Sequence, residues 1–274
     1  MLWHAADGRV LEGWVGGDPD GPLVAVLHGC PDTRHVAMTG DAAARAVGVR
    51  LLGVNRPGYG RSAAHDSSHG SVADDLAGVA TELGHARFAV VGMSVGGGYA
   101  VATAARHPDR VTALGLVATQ APGVRTESVE ELVEELAPEF LAWRETVDPG
   151  DPSDDALAAR WLTMLPPGDA ELVRALGPAE IAASVREALA EPDGYLRDAA
   201  LLHRPWGHAP VEVRCPVLAW FGELDERSTT DAAAELLAGF DAVEVVVRPR
   251  STHLATLVAH WPDVLTTVRD LSED

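Results

Sequence analysis

The chain has 274 residues, of which 47% are hydrophobic and 23% charged, which suits one main folded domain and excludes a disordered chain. A formal net charge of −20 disfavours nucleic acid and anionic membranes as partners, since both repel an acidic surface. The sequence has only two cysteines, no secretory signal at its start and no uncharged apolar stretch of about 18 residues. These features predict a cytoplasmic protein that neither depends on disulfides nor spans a membrane.

The first 120 residues alternate between short apolar runs and amphipathic segments. Strands are predicted at residues 10–15, 23–27, 51–54, 88–91 and 111–117, the first two bounded by Gly, Asp and Pro. Helices are predicted at residues 39–47, 71–83 and 97–107, the second with Ser71 as its N-cap. Such alternation is typical of a mostly parallel sheet with helices on both faces, so the predicted fold class is α/β.

The pattern changes after Gln120. Residues 121–206 contain predicted helices at 129–144, 154–165, 179–189 and 195–202, and no convincing strand. The alternation then returns, with strands at 217–221 and 243–247 and helices at 230–237 and 254–271, the last broken at Pro262. These patterns predict an α/β core, residues 1–120 and 207–274, into which a helical cap, residues 121–206, is inserted.

A Gly-x-Ser-x-Gly run at residues 92–96 places Ser94 between a predicted strand and a predicted helix. Gly92 and Gly96 have no Cβ, so the strand and the helix can approach closely while the serine is forced outward in a strained turn. The first turn of the helix also offers free N–H groups to a developing negative charge. Ser94 is therefore the predicted nucleophile; the alternative is a Gly-rich turn with a solvent-facing serine.

A serine nucleophile needs a base, and the base needs a group that orients it. His253 follows the last predicted strand after a short polar loop; the alternative is that it only begins the last helix. Asp225 stands just past the strand at 217–221, with Glu223 as the competing carboxylate. Since the carboxyl ends of parallel strands share one edge of a sheet, we expect Ser94, Asp225 and His253 to converge there.

The backbone N–H groups of Cys30 and Val95 are the predicted oxyanion donors. Gly29 allows a tight turn after the second strand, which directs the Cys30 N–H toward that of Val95. Pro31 has no N–H to offer, and His28 is expected to support the loop rather than to react. A thiol nucleophile at Cys30 is the alternative, but the sequence offers no separate base for it.

Five segments, in this order along the chain, resemble the α/β-hydrolase superfamily and extend over nearly its whole length. They are His28-Gly29, the run Asn55-Arg56-Pro57-Gly58-Tyr59-Gly60-Arg61-Ser62, the Ser94 turn, Gly222-Glu223-Leu224-Asp225 and His253. The resemblance implies an eight-stranded, mostly parallel sheet with a helical cap between strands six and seven. It also implies acyl transfer through a covalent Ser94 ester, oxyanion donation by Cys30 and Val95, and no metal or cofactor.

Two departures from the family pattern are Asn55, where an Asp is common, and Met93, where relatives often carry a polar residue. Met93 is predicted to make the floor of the pocket more apolar. Further apolar side chains of the cap are predicted to line an acyl or alcohol pocket: Trp143, Trp161, Leu162, Met164, Leu165 and Trp206. The alternative is that these side chains hold the cap together.

The predicted function is hydrolysis of a small to medium apolar ester, thioester or lactone, by a monomer or homodimer that acts on a small-molecule substrate. Serine rather than aspartate at position 94 disfavours dehalogenases and epoxide hydrolases. The loop at residues 28–31 is a loose variant of the proline iminopeptidase loop, and the match stops at Pro31. Two alternatives stay open: lyase, cyclase or carbon–carbon bond chemistry in the same pocket, and a binding protein that kept the fold without the reaction.

Overall fold

The computed structural model describes residues 1–150 and 153–273, and these contain a sheet of eight strands. The strands are β1 Leu2–His4, β2 Val10–Gly17, β3 Leu23–Leu27, β4 Arg50–Val54, β5 Phe88–Met93, β6 Val111–Val117, β7 Val217–Gly222 and β8 Glu244–Arg248. Their order is β1-β2-β4-β3-β5-β6-β7-β8, with β2 antiparallel to both its neighbours and every pair from β4 to β8 parallel. The prediction of a mostly parallel eight-stranded sheet is confirmed, although β1 is too short to give a pattern in the sequence.

Helices cover both faces of the sheet, as the alternating pattern predicts. On one face lie α3 His69–Glu82, α4 Gly96–Arg106 and α10 Ala234–Ala238; on the other lie α1 His35–Met38, α2 Asp41–Val47, α11 Ala255–Val258 and α12 Trp261–Glu273. The side chains of the central strand β3 alternate between two apolar clusters, one on each face. Because successive side chains of a strand point to opposite faces, a continuous apolar run of this kind needs helices on both.

Between β6 and β7 the described residues form five further α-helices and then a short 3-10 helix at Pro210–Glu212. The α-helices are α5 Val129–Val147, α6 Asp154–Met164, α7 Pro167–Arg174, α8 Pro178–Leu189 and α9 Pro192–Leu202. We call residues 121–206 the helical insertion. Its helices pack around an apolar cluster of their own, which includes Phe140, Leu157, Ile181 and Val185. None of the helices in the described ranges has both the length and the apolar character needed to cross a bilayer.

Acidic side chains of the insertion bind loops that follow three strands of the sheet. Glu187 pairs with Arg34 after β3, and Asp198 pairs with Arg56 after β4. Asp169 accepts a hydrogen bond from Thr252, which follows β8. Since all three loops leave the carboxyl ends of parallel strands, the insertion covers the carboxyl edge of the sheet.

The predicted start of α3 is wrong by two residues. The helix begins at His69 because the hydroxyl of Ser68 accepts a hydrogen bond from the N–H of Ser71 and acts as the N-cap. The Ser71 hydroxyl accepts in turn from the N–H of Ser68, which completes a capping box. Ser71 therefore lies inside the first turn and is not the cap.

Other predicted helices also differ from the structure. The helix predicted at 39–47 begins at Asp41, after Gly40, where a Cβ would lie 2.8 Å from the ring of Trp261, and a separate short helix, α1, precedes it. The last helix divides before Trp261 rather than at Pro262, because a proline in the first helical turn is tolerated. The segment at 230–237 forms only the short α10.

Candidate active site

Ser94 lies in a sharp turn between the end of β5 at Met93 and the start of α4 at Gly96. Its φ of 53° is in the left-handed region, a strained conformation for a residue with a Cβ. A Cβ on Gly96 would lie 2.2 Å from the carbonyl oxygen of Leu27, so only glycine lets the helix begin this close to β3. The predicted turn from strand through serine to helix is present.

Asp225 and His253 are joined directly. Asp225 follows β7, is almost fully buried, and accepts a hydrogen bond of 2.7 Å from Nδ1 of His253 through Oδ2. Its Oδ1 accepts from the N–H groups of Arg227 at 2.9 Å and Ser228 at 3.1 Å. Since Nδ1 donates to the carboxylate, Nε2 of His253 is left as the proton acceptor.

The surroundings of Asp225 favour its ionised form. Burial alone would raise the pKa of the Asp225 carboxyl, but the hydrogen bond and the charge of His253 outweigh it. The N–H groups of Arg227 and Ser228 add to this effect, so the pKa is lowered overall. Glu223, the competing carboxylate, is exposed and accepts from the N–H of Arg250 instead.

Ser94 shares the sheet edge with this pair without being bonded to it. The three side chains follow the carboxyl ends of β5, β7 and β8. Within the part of the chain that the structure describes, the Ser94 hydroxyl makes no hydrogen bond. Catalytic hydrogen bonds are commonly loose before substrate binds, so a serine–histidine pair at this edge stays a prediction.

Two backbone N–H groups beside Ser94 are free. A Cβ on Gly29 would lie 3.5 Å from the Cβ of Ser94, which places the loop of Cys30 against the serine. The N–H groups of Cys30 and Val95 donate to no group in residues 1–150 and 153–273. Free donors on both sides of the serine are what the stabilisation of an oxyanion requires.

The Cys30 thiol is unsuited to act as a nucleophile. Burial raises its pKa far above the ordinary value, and the charge of Asp198 raises that pKa further. The hydroxyl of Tyr59 contacts the sulfur at 3.4 Å. A thiol held in its protonated form is unreactive, which argues against the alternative considered from the sequence.

His28 supports the same loop, as its sequence position predicts. Its Nε2 accepts from the N–H of Arg56 at 3.2 Å, so Nδ1 carries the hydrogen and donates to the carbonyl of Gly29 at 2.9 Å. Burial, and next the charge of Arg56, lowers the pKa of His28 well below the usual range, so the ring is neutral.

A buried polar network beneath this loop has no counterpart in the sequence-based prediction. Arg56 and Asp198, each 2% exposed, form an ion pair, and the hydroxyls of Tyr59 and Tyr99 both donate to the same carboxylate. The one feature of the sequence that points to this network is Asp198, a charged residue among the apolar positions of α9. Its partner is 142 residues away, so the sequence alone could not identify the pair.

The predicted pocket residues occupy several different places. Trp143 and Trp161 belong to an aromatic cluster of the insertion, with ring centroids 6.3 Å apart. Leu162 packs in the same cluster, Leu165 ends α6, and Met164 is exposed. Whether these side chains contact a substrate stays a prediction.

Trp206 and Met93 are both buried. Trp206 packs over the start of α4, where a Cβ on Gly98 would lie 2.8 Å from its ring. Met93 packs in the apolar cluster on the α12 face of the sheet. Contact of either side chain with a substrate is likewise a prediction. Over residues 1–150 and 153–273, no group of three His, Cys, Asp or Glu side chains is arranged to hold a metal ion.

Known proteins share this architecture. A family model described as alpha/beta hydrolase fold matches residues 22–259 of the chain. Among curated proteins, none is significantly similar in sequence.

Several solved structures resemble the chain at low sequence identity. An enol-lactonase from Burkholderia xenovorans is 22% identical, with a TM-score of 0.72 over 100% of both chains. A thermophilic esterase from Thermogutta terrifontis is 21% identical, with a TM-score of 0.71 over 100% of this chain and 97% of that one. A proline iminopeptidase from Mycobacterium smegmatis is 19% identical, with a TM-score of 0.67 over 100% and 98% of the two chains. At such identities the likeness concerns the fold alone.

Proposed function

The chain belongs to the α/β-hydrolase fold family, and from that premise we propose that it is a serine hydrolase with Ser94 as nucleophile, His253 as general base and Asp225 as the orienting acid. The observation that carries the proposal is the 2.7 Å hydrogen bond between Asp225 and His253, at the sheet edge where Ser94 occupies a strained turn. A base that is held in one tautomer and a serine forced outward are the two requirements of this chemistry.

In the acylation step, Nε2 of His253 takes the proton of Ser94 while the serine oxygen forms a bond to the substrate carbonyl carbon. Asp225 stays ionised and stabilises the imidazolium, consistent with its lowered pKa. The tetrahedral intermediate then collapses, the bond to the leaving oxygen or sulfur breaks, and His253 gives that atom its proton. Water, deprotonated by His253, attacks the acyl carbon; the bond from that carbon to the Ser94 oxygen breaks, and His253 returns the proton to the serine.

The negative oxygen of the tetrahedral intermediate is proposed to accept from the N–H groups of Cys30 and Val95. Their freedom from other described partners supports this role, because a donor that is already aimed needs no reorganisation during the reaction. Loss of one such donor typically costs about 10²–10³ in kcat.

The substrate class that we propose is a small to medium apolar ester, thioester or lactone. The aromatic cluster of the insertion, which includes Phe140, Trp143 and Tyr195, supports an apolar acyl group. Structural neighbours named as an esterase and an enol-lactonase fit the same class. We further propose that the insertion acts as a cap over the site, and that the enzyme works in the cytoplasm as a monomer or homodimer.

The direct test is a panel of p-nitrophenyl esters of graded acyl length, measured with wild type and with Ser94→Ala. We expect turnover by wild type, with kcat/KM highest at one acyl length, and a loss of at least about 10⁴ in the variant, since the nucleophile acts as a unit with its base. The melting temperature should stay close to that of wild type, because the alanine meets the same backbone strain.

Cys30→Ala is the matched control for the identity of the nucleophile. It removes the thiol and keeps the backbone N–H, so activity should largely persist. Retention of most activity by Ser94→Ala, or its loss only in the cysteine variant, would overturn the proposal.

A further inference from the structure

Buried carboxylates of the helical insertion hold both loops that carry the proposed base and oxyanion donor: Asp169 binds the loop of His253 directly, and Asp198 binds the loop of Cys30 through Arg56. We propose that Asp198 and Asp169 are positioning residues: Asp198 orients the Cys30 N–H through Arg56, and Asp169 fixes the loop of His253. The inference rests on the proposed function, and it assigns to the insertion a part in forming the catalytic geometry.

Asp198 lies on α9, is 2% exposed and accepts from three different side chains. Nε of Arg56 donates to Oδ1 at 3.0 Å, and so does the Tyr99 hydroxyl at 2.7 Å. The Tyr59 hydroxyl donates to Oδ2 at 2.7 Å. A carboxylate with this many donors holds its partners in one arrangement, since each hydrogen bond restricts direction as well as distance.

Arg56 transmits that arrangement to the loop beside Ser94. Its two terminal nitrogens donate to the carbonyl oxygens of His28 at 2.5 Å and of Gly29 at 2.8 Å. The carbonyl of Gly29 and the N–H of Cys30 belong to one planar trans peptide unit, in which the two groups point in opposite directions. Holding the carbonyl on Arg56 therefore turns the Cys30 N–H away from Arg56 and leaves it free for an oxyanion.

Asp169 acts on the other loop. It lies on α7, is 2% exposed, and its Oδ1 accepts from the Thr252 hydroxyl and from the N–H of Leu254 at 3.1 Å. These two residues flank His253, so one oxygen atom holds the side chain of Thr252 before the histidine and the backbone of Leu254 after it. Asp225 orients the ring, whereas Asp169 fixes the backbone from which the ring extends.

Both contacts should matter for rate more than for substrate affinity. A displacement of about 1 Å in a catalytic group can cost about 100-fold in rate, because the reacting atoms must meet in a narrow range of geometry. Neither carboxylate touches the serine or the free N–H groups, so substrate binding has no direct dependence on them. The expected signature is a lower kcat with a nearly constant KM.

The test compares Asp198→Asn and Asp169→Asn with wild type by kcat and KM on the best ester and by the rate of Ser94 labelling with a fluorophosphonate. Each variant keeps the side-chain shape and removes the charge. We expect kcat and the labelling rate to fall about 10- to 100-fold in each variant, with KM changed less than about threefold.

Glu187→Gln is the matched control. Glu187 is also an acidic residue of the insertion, and its carboxylate forms a bidentate ion pair with an arginine of the core. Nε and Nη2 of Arg34 donate to it at 2.9 and 2.6 Å. Its partners bind neither residues 28–30 nor residues 252–254 through the backbone. The control should lose stability while kcat and labelling stay within about twofold of wild type, a change too small to reflect misplaced catalytic groups.

The outcomes separate the two proposals. If wild type shows neither esterase activity nor labelling, the proposed function fails and the inference falls with it. If wild type is active and labelled while the two Asn variants match Glu187→Gln, the positioning role alone is overturned.

Should Asp198→Asn not fold, Arg56→Lys decides the same point. It keeps a positive charge beside Asp198 but cannot reach the carboxylate and both loop carbonyls at once. A folded Arg56→Lys with wild-type kcat would contradict the inference, and a loss of kcat at constant KM would support it.

Discussion

The sheet and the helical insertion are stabilised in different ways. Strands β3, β5 and β7 are wholly buried and pack against helices on both faces. The insertion helices share one smaller apolar cluster, and polar bonds to core loops attach them to the sheet through Asp169, Glu187 and Asp198. Apolar packing thus builds the platform, whereas the insertion is fixed upon it by directional polar bonds in addition to the apolar contacts of Leu201 and Trp206 with the core.

This difference separates reactive groups from the groups that position them. Every proposed reactive group belongs to a loop of the sheet, and two of the bonds that hold those loops come from the insertion. Apolar burial is non-directional, while a hydrogen bond to a peptide group sets an orientation. Substitutions in the two regions should therefore differ in how far they lower the catalytic rate and how far they lower the free energy of unfolding.

The largest expected effect is on rate, at a reactive group of the sheet. Asp225→Asn should lower kcat by about 10⁴, because an amide cannot stabilise the imidazolium and favours the wrong tautomer of His253. Steady-state kinetics of the purified variant measure the loss. A loss below tenfold would mean that the sheet loops do not hold the reactive groups as we describe.

The next effect is on stability, at the junction between the two regions. Asp198→Ala should cost about 3–5 kcal/mol of the free energy of unfolding, because it leaves the buried Arg56 guanidinium without a counter-ion. Asp74→Ala is the control: both side chains of its pair with Arg106 are 47% exposed. That variant should cost at most about 1 kcal/mol. Urea unfolding measures the free energy of unfolding of both variants. Equal losses in Asp198→Ala and Asp74→Ala would contradict this expectation.

A smaller effect concerns pH and the buried His69, which packs on Tyr99 and Trp206. Burial, and next the charge of Arg56, lowers the pKa of His69 to about 3, whereas an unfolded histidine titrates near 6.5. Between these values only the unfolded chain binds the proton, so the free energy of unfolding falls as pH falls from about 6.5 toward 3.

His69→Gln should remove this contribution. Between pH 7 and pH 5, wild type should lose about 2 kcal/mol more than the variant. The free energy of unfolding at both pH values measures the difference, with the exposed His203→Gln of the insertion as matched control. An equal loss in wild type and in His69→Gln would show that His69 is protonated in the folded state.

The smallest effects are expected at two equivalent helix caps. Ser68 caps α3 of the core and Ser128 caps α5 of the insertion, and both form capping boxes. Replacing either by alanine should cost about 1 kcal/mol. Hydrogen exchange should show which amides respond: those of the sheet for Ser68→Ala and those of α5 to α9 for Ser128→Ala, if the two regions open separately. Identical exchange patterns would mean that they unfold as one unit.

The same contrast explains what the sequence could predict. The strands at 23–27 and 111–117 have the predicted bounds, because the first is a continuous apolar run between Pro22 and His28-Gly29 and the second is a mostly apolar run that follows Asp109-Arg110. The strand–serine–helix turn and the Asp225–His253 contact follow from chain order and from the shared edge of a parallel sheet.

What the sequence could not predict depends on tertiary partners. Helix α7 begins with Pro167-Gly168, a pair that is typical of a turn. The role of Asp169 in this helix depends on its hydrogen bond with Thr252, which the sequence does not show. Ser68 and Ser71 both suit an N-cap, and the fold selects the first. Asp198 carries no local signal of its distant partner Arg56. Polar contacts over long separations are set by the assembled fold, whereas periodic apolar patterns are local.

The most direct test of the central claim is intact-mass and peptide analysis after reaction with a fluorophosphonate, in which a serine oxygen bonds to phosphorus and fluoride leaves. We expect a single adduct per chain, located on Ser94, and no adduct in Ser94→Ala. An active wild-type enzyme that stays unlabelled, or an adduct that persists in the variant, would contradict it.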